Sequence, residues 1–185
     1  SQRQWAAMNP RASKREPLDI DGYNASPWVV EPFHVLDCCL VSNGAVAVIV
    51  TSAERARDLK QPPVYIRGFA QGHNHDTGQA DHDPYIHTAG ALSAPRALAM
   101  AGAKVSEVSQ CQIYDCYTYT VIVTLEDYGF CEKGEGGAFV ADGSLGPSGV
   151  LPTNTGGGEL SSFYMWGMTP VSEAIIQGRG QGGER

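Results

Sequence analysis

Residues 154–168, Asn154-Thr155-Gly156-Gly157-Gly158-Glu159-Leu160-Ser161-Ser162-Phe163-Tyr164-Met165-Trp166-Gly167-Met168, decide how this chain is read. Three consecutive glycines let the main chain pass close to a ligand, because no Cβ stands in the way; a tight turn is the plainer reading. Ahead of them Leu151 to Thr155 reads as a short strand, and beyond them Thr169-Pro170 opens a helix expected to run to Gln177.

Working back along the chain, two more segments gather polar groups at the ends of elements, where α/β folds place their sites. One is Tyr114-Asp115-Cys116-Tyr117-Thr118-Tyr119-Thr120, the other Cys131-Glu132-Lys133-Gly134-Glu135-Gly136-Gly137. Cys111 to Asp115 reads as a strand with Asp115 as the cap of a following helix. That helix, Thr118 to Tyr128, sets Val121, Ile122, Leu125 and Tyr128 on one face before Gly129 closes it. Asn43 to Thr51 is β-branched and expected to be a buried strand, Ser52 caps a short helix, and Val64 to Ala70 alternates as a second strand. A helix is expected over Ser93 to Ala101, and the proline-punctuated stretch 9–32 reads as irregular. Strands alternating with helices indicate an α/β layered domain.

Composition narrows the function classes. The chain has 185 residues, 42% hydrophobic and 18% charged, which suits a folded globular domain. Its 13 basic and 20 acidic residues leave a net charge of −7 with no basic stripe, so nucleic acid is not expected as a partner. The longest apolar run, Ala45 to Val50, is too short to span a bilayer, so no membrane partner is expected. Five cysteines, an odd number, fit reduced thiols in a cytoplasmic protein, with Cys38 and Cys39 packed beside Leu36, Leu40 and Val41.

Taken together, YDCY (114–117), GFCEKGEGG (129–137) and NTGGGELSSFYMWGM (154–168) resemble the C-terminal half of the thiolase superfamily, in its sterol-carrier-protein-type branch. That branch carries an HDCF element, a glycine-rich loop around a cysteine, and an N-x-x-G-G loop that reaches a GHP element. Asn9-Pro10, Leu36-Asp37-Cys38-Cys39 and Ser42-Asn43-Gly44-Ala45 fit as well, so the resemblance covers nearly all of the chain. It implies a thiolase-like αβαβα layered α/β fold. Residues 33–185 would be the C-terminal domain without its last strands, and 1–32 a link from a preceding half, making this chain part of a longer one.

The departures from the family matter more for chemistry. The GHP histidine is replaced by Tyr164, and the histidine or asparagine opening the other element by Tyr114. No cysteine follows the last helix to act as the thiolase acid–base thiol. Two phenols suit a retro-aldol cleavage, which needs a base for a hydroxyl proton and a donor for the developing enolate, but no covalent nucleophile. The pattern resembles the steroid side-chain aldolases of actinobacteria, which cleave a 17-hydroxy steroid C20-carboxyl-CoA to a 17-ketosteroid and propionyl-CoA. By that resemblance Tyr114 and Tyr164 are the catalytic pair; which is base and which acid does not follow from sequence. Helix N-termini beside both are expected to favour phenolate. Half-buried packing is the alternative for either ring.

Asp115, Cys116, Asn154, Gly156, Gly157 and Gly158 are expected to border the thioester, Cys116 having packing as its alternative. By the same resemblance His73 and His75, in the polar loop Gly72 to Asp83, are expected to line the pocket or a subunit contact. Their spacing matches no familiar zinc pattern, so no metal is expected, and no cofactor either, CoA being part of the substrate. The resemblance also implies a homodimer and a small OB-fold, zinc-ribbon acyl-CoA-binding partner protein. An acyltransferase with its nucleophile in the preceding half, and a non-catalytic acyl-CoA-binding subunit, remain the competing readings.

Overall fold

A computed structural model describes residues 1–73 and 86–185. His75 and the acidic residues of the polar loop lie outside these described residues, and among the described ones no helix is long and apolar enough to cross a membrane.

The N-terminal stretch is more regular than its prolines imply. Helix α1 (Gln2–Met8) buries Trp5 and Ala6, and the Trp5 indole N–H donates to the Leu145 carbonyl at 2.9 Å. Helix α2 (Ile20–Asn24) is capped by Asp19, whose side chain accepts the Gly22 N–H. Strands β1 (Trp28–Val30) and β2 (Phe33–His34) form an antiparallel hairpin within and just beyond the stretch expected to be irregular. Asp37 locks that hairpin to the centre of the molecule. Its buried carboxylate accepts the Tyr23 hydroxyl (2.7 Å), the His34 N–H (2.8 Å) and the Thr118 hydroxyl (2.6 Å).

Helix α3 (Ala53–Arg57) is capped by Ser52, whose Oγ accepts the Arg55 N–H, as expected. Helix α4 (Gly90–Ala101) ends at Gly102, whose φ of 63° is the left-handed cap that glycine adopts without strain. Helix α5 (Thr118–Asp127) buries Val121, Val123, Thr124 and Leu125. Helices α6 (Gly136–Ala141), α7 (Gly158–Ser161) and α8 (Met168–Gly178) complete the order. The hydrophobic centre consists of Ile113, Val121, Leu125, Leu145 and Leu151, each contributing about 1.5–3 kcal/mol by leaving water.

The expected strands at 43–51 and 64–70 do not form hydrogen-bonded strands among the described residues. Their β-branched composition favours an extended chain, but a ladder needs a neighbour's N–H and C=O groups alongside. Ile49 is accordingly 90% exposed and Ile66 70%, the reverse of the burial expected for residues 43–51. Residues 111–115 and 151–155 do lie side by side, joined by one parallel bridge between Cys111 and Thr153. The pairing stops there because Asn154 turns to φ 54° and its side-chain Oδ1, in place of a main-chain carbonyl, accepts the Ile113 N–H at 2.7 Å.

Asp115 does not cap α5. The N-cap is Tyr117, and the Asp115 carboxylate points to α7 instead, accepting the main-chain N–H of Glu159 at 2.7 Å.

Candidate functional site

The segment 111–115 delivers Tyr114, and the loop between α7 and α8 delivers Tyr164. The two hydroxyls meet at 2.9 Å, with ring centroids 6.3 Å apart and tilted by 43°. Both rings are half-buried. The neighbouring residues enforce the meeting. Asp115 ties its own segment to the start of α7, and Asn154 ties the preceding loop to Ile113. Gly158 makes the first contact possible, since a Cβ there would stand 2.1 Å from Asp115 Oδ2.

Burial pushes the Tyr114 phenol well above the ordinary tyrosine range, and the hydrogen bond to Tyr164 pushes it further. Tyr114 therefore holds its proton at neutral pH. The helix N-termini do not reverse this, because α5 begins four residues later. Behind the phenols lies a pair of fully buried carboxyl groups, Asp115 and Glu159, both 0% exposed. Burial raises Asp115 to about 6 against the pull of the Glu159 and Leu160 N–H groups; burial and the charge of Asp115 raise Glu159 to about 8. Two like charges in one dry site cannot both ionise cheaply, so at neutral pH the pair keeps a proton, on Glu159. Sequence reasoning missed Glu159. A charged residue inside a run of small ones is the signal that it was worth asking about.

The other expected site residues divide. Asp115 and Asn154 are buried and hold the two tyrosine-bearing segments together. Gly157, with φ 101°, lies where a Cβ would stand 2.8 Å from that of Ala6, and Gly156 faces the Glu173 carboxylate. Asp115, Asn154, Gly156 and Gly158 also border a cavity of about 210 Å³ that reaches Gln112 and Thr169. Neither tyrosine lines it. Cys116 is half-buried, with its sulfur 3.5 Å from the Thr120 hydroxyl. Burial pushes the Cys38, Cys39, Cys111 and Cys131 thiols up, Cys111 to about 12, which makes them poor nucleophiles. His73 is exposed and makes no part of this cluster, and His75 lies outside the described residues. Among the described residues no group of three or more His, Cys, Asp or Glu side chains is arranged to hold a metal ion. Next to Tyr164, Trp166 adopts φ 53° and presents an indole that is 71% exposed, its ring 5.9 Å from the Tyr164 ring.

Residues 70–185 match the family model described as thiolase C-terminal domain-like. The chain is 39% identical over 183 residues to a steroid side-chain-cleaving aldolase of Thermomonospora curvata, covering 96% of this chain and 47% of that protein. It is 40% identical, over the same extents, to a 17-hydroxy-3-oxo-4-pregnene-20-carboxyl-CoA lyase of Mycobacterium tuberculosis. Among solved structures, an Ltp2-ChsH2(DUF35) aldolase superposes with a TM-score of 0.91 at 38% identity, covering 99% of this chain and 49% of that one. The chain thus spans about half the length of the curated relatives it matches.

Proposed function

This chain belongs to the thiolase C-terminal domain-like family, and from that premise we propose that the whole protein is a carbon–carbon lyase, an aldolase acting on a β-hydroxyacyl-CoA. The observation that carries this reading is the 2.9 Å contact between the Tyr114 and Tyr164 hydroxyls. It stands where the family's acyl-transfer chemistry would call for an imidazole or amide at each position.

In the cleavage, Tyr164 takes the proton of the substrate's tertiary hydroxyl. The carbon–carbon bond breaks as the carbonyl of the new ketone forms, and its electron pair passes into the thioester as an enolate. Tyr114, kept neutral by burial, donates a hydrogen bond to the enolate oxygen. A proton returned to the α-carbon completes the thioester product. The roles divide this way because burial disfavours a phenolate at Tyr114, which leaves the ionised base to be Tyr164.

The substrate we propose is a 17-hydroxy steroid C20-carboxyl-CoA, released as a 17-ketosteroid and propionyl-CoA; identities of 39% and 40% to relatives named for that cleavage support it. A homodimer and a small OB-fold, zinc-ribbon partner belong to the same proposal, the partner supported by the two-component name of the solved aldolase. A cytoplasmic setting suits the five free thiols.

The test is turnover by the full-length protein of a β-hydroxyacyl-CoA bearing a tertiary alcohol, followed by ketone release. Tyr114→Phe and Tyr164→Phe should each lower the rate by about 10²–10⁴-fold or more while leaving thermal stability within error. Undiminished cleavage in either variant removes the proposal. Tight acyl-CoA binding without turnover in the unaltered protein would favour a non-catalytic subunit instead.

A further inference from the structure

We propose that Ser42 and Thr169 are positioning residues that fix Tyr164 against Tyr114, an inference that rests on the lyase reading above. The loop carrying Tyr164 belongs to no ladder, so its main-chain polar groups must find partners elsewhere. Three of them, in consecutive residues, are met by side chains. The Tyr164 N–H donates to Ser42 Oγ at 3.0 Å. The Met165 N–H donates to Thr169 Oγ1 at 2.8 Å, and the same hydroxyl donates to the Phe163 carbonyl at 3.3 Å.

One hydroxyl thus brackets Tyr164 from both sides, acting as acceptor and donor at once, which a hydroxyl group is equipped to do. Thr169 is buried in the first turn of α8, where packing holds its side chain still. Ser42 comes from a segment 122 residues distant in sequence, so it anchors the loop to a different part of the molecule. Trp166, just past the bracket, sits at φ 53°, where a bulky residue is strained. The bracket holds the chain in that turn, and the turn aims the Tyr164 hydroxyl. Loss of either side chain leaves the phenol present but free to leave the 2.9 Å contact.

The experiment compares Thr169→Val, Thr169→Ser and Ser42→Ala in the complete protein, with Tyr164→Phe as reference, by steady-state kinetics. Valine keeps the shape and removes the hydroxyl; serine keeps the hydroxyl. Thr169→Val should lower kcat by about 10²-fold with KM little changed, the cost of a misplacement of about 1 Å. Thr169→Ser should recover most of that loss, and Ser42→Ala should lower kcat by about tenfold, by the same reasoning. A packing defect would not be relieved by Thr169→Ser, which keeps the hydroxyl but loses the methyl group.

Wild-type kcat in Thr169→Val, or an equal loss in Thr169→Ser, overturns the inference. Should Thr169→Val fail to fold, Ser42→Ala decides, with wild-type kcat there counting against it. Full activity in Tyr164→Phe defeats the lyase reading itself, whereas an inactive Tyr164→Phe beside a normal Thr169→Val defeats only the bracket.

Discussion

Asp115 Oδ1 accepts the main-chain N–H of Glu159 at 2.7 Å, so the residue that follows Tyr114 is fastened to the helix that leads to Tyr164. Removing this acceptor strands a buried N–H group. Asp115→Ala should therefore destabilise the fold by about 1–3 kcal/mol and also reduce turnover, as the two phenols drift apart. Thermal denaturation together with kcat measures both. A stable variant with full turnover would show that the fastening is dispensable.

Gly158 and Gly102 share a φ of 63°, but only Gly158 has a neighbour where a Cβ would go, Asp115 Oδ2 at 2.1 Å; Gly102 has nothing within 4 Å. Gly102→Ala should cost about 1–2 kcal/mol, the left-handed penalty alone. Gly158→Ala should cost clearly more and impair activity. Equal losses in chemical denaturation would mean that the approach to Asp115 is not what selects glycine.

Glu159 is raised from 4.5 to about 8 and Asp115 from 3.8 to about 6. Between the ordinary and raised values the folded state binds more protons than the unfolded chain, so stability falls as pH rises through these windows. Glu159→Gln should flatten the decline between about pH 4.5 and 8 and leave the protein more stable than wild type at the upper end. Urea midpoints at four or five pH values suffice; parallel curves for the two proteins would refute it.

The Asp127 side chain is shielded and accepts the Thr88 N–H (2.5 Å) while pairing with Lys133 (2.8 Å) and His87 (3.2 Å). Burial alone would raise its carboxyl, but these contacts outweigh burial and hold it below the usual range. Its contribution is present above pH 3.8 and is lost as pH falls through the depressed value. Asp127→Asn should speed amide hydrogen exchange at residues 88–90 and lower stability by about 1–3 kcal/mol at neutral pH. Unchanged exchange there would dismiss the role.

Four helices and the tyrosine pair were legible in the sequence for reasons that can be named. Periodicity marked α4 and α5, the Ser52 cap marked α3, Thr169-Pro170 marked α8, and the glycine run with its flanking motifs placed Tyr114 and Tyr164 at matching positions. The strands were not legible in the same way, because the composition of residues 43–51 states a preference for extended chain but cannot supply the partner that makes a ladder. Asp115 misled for a related reason. Next to a helix start it looks like that helix's cap, and only the return of residues 154–160 across it shows which N–H groups it serves. Ser42 and Glu159 act through contacts 122 and 44 residues away, which no local pattern records, and Thr169 bonds four and six residues back into a loop whose path the sequence does not show.

The exposed indole of Trp166 sits 5.9 Å from the ring of Tyr164, which gives the site an optical reporter of its own. Trp5 is shielded inside the fold and emits as a constant background, and Trp28 is exposed beside the His34 ring. In a Trp28→Phe variant the solvent-sensitive part of the emission then comes from beside the phenols. A thioester arriving there changes the solvent around the indole, so occupancy can be followed by fluorescence titration in variants that no longer turn over.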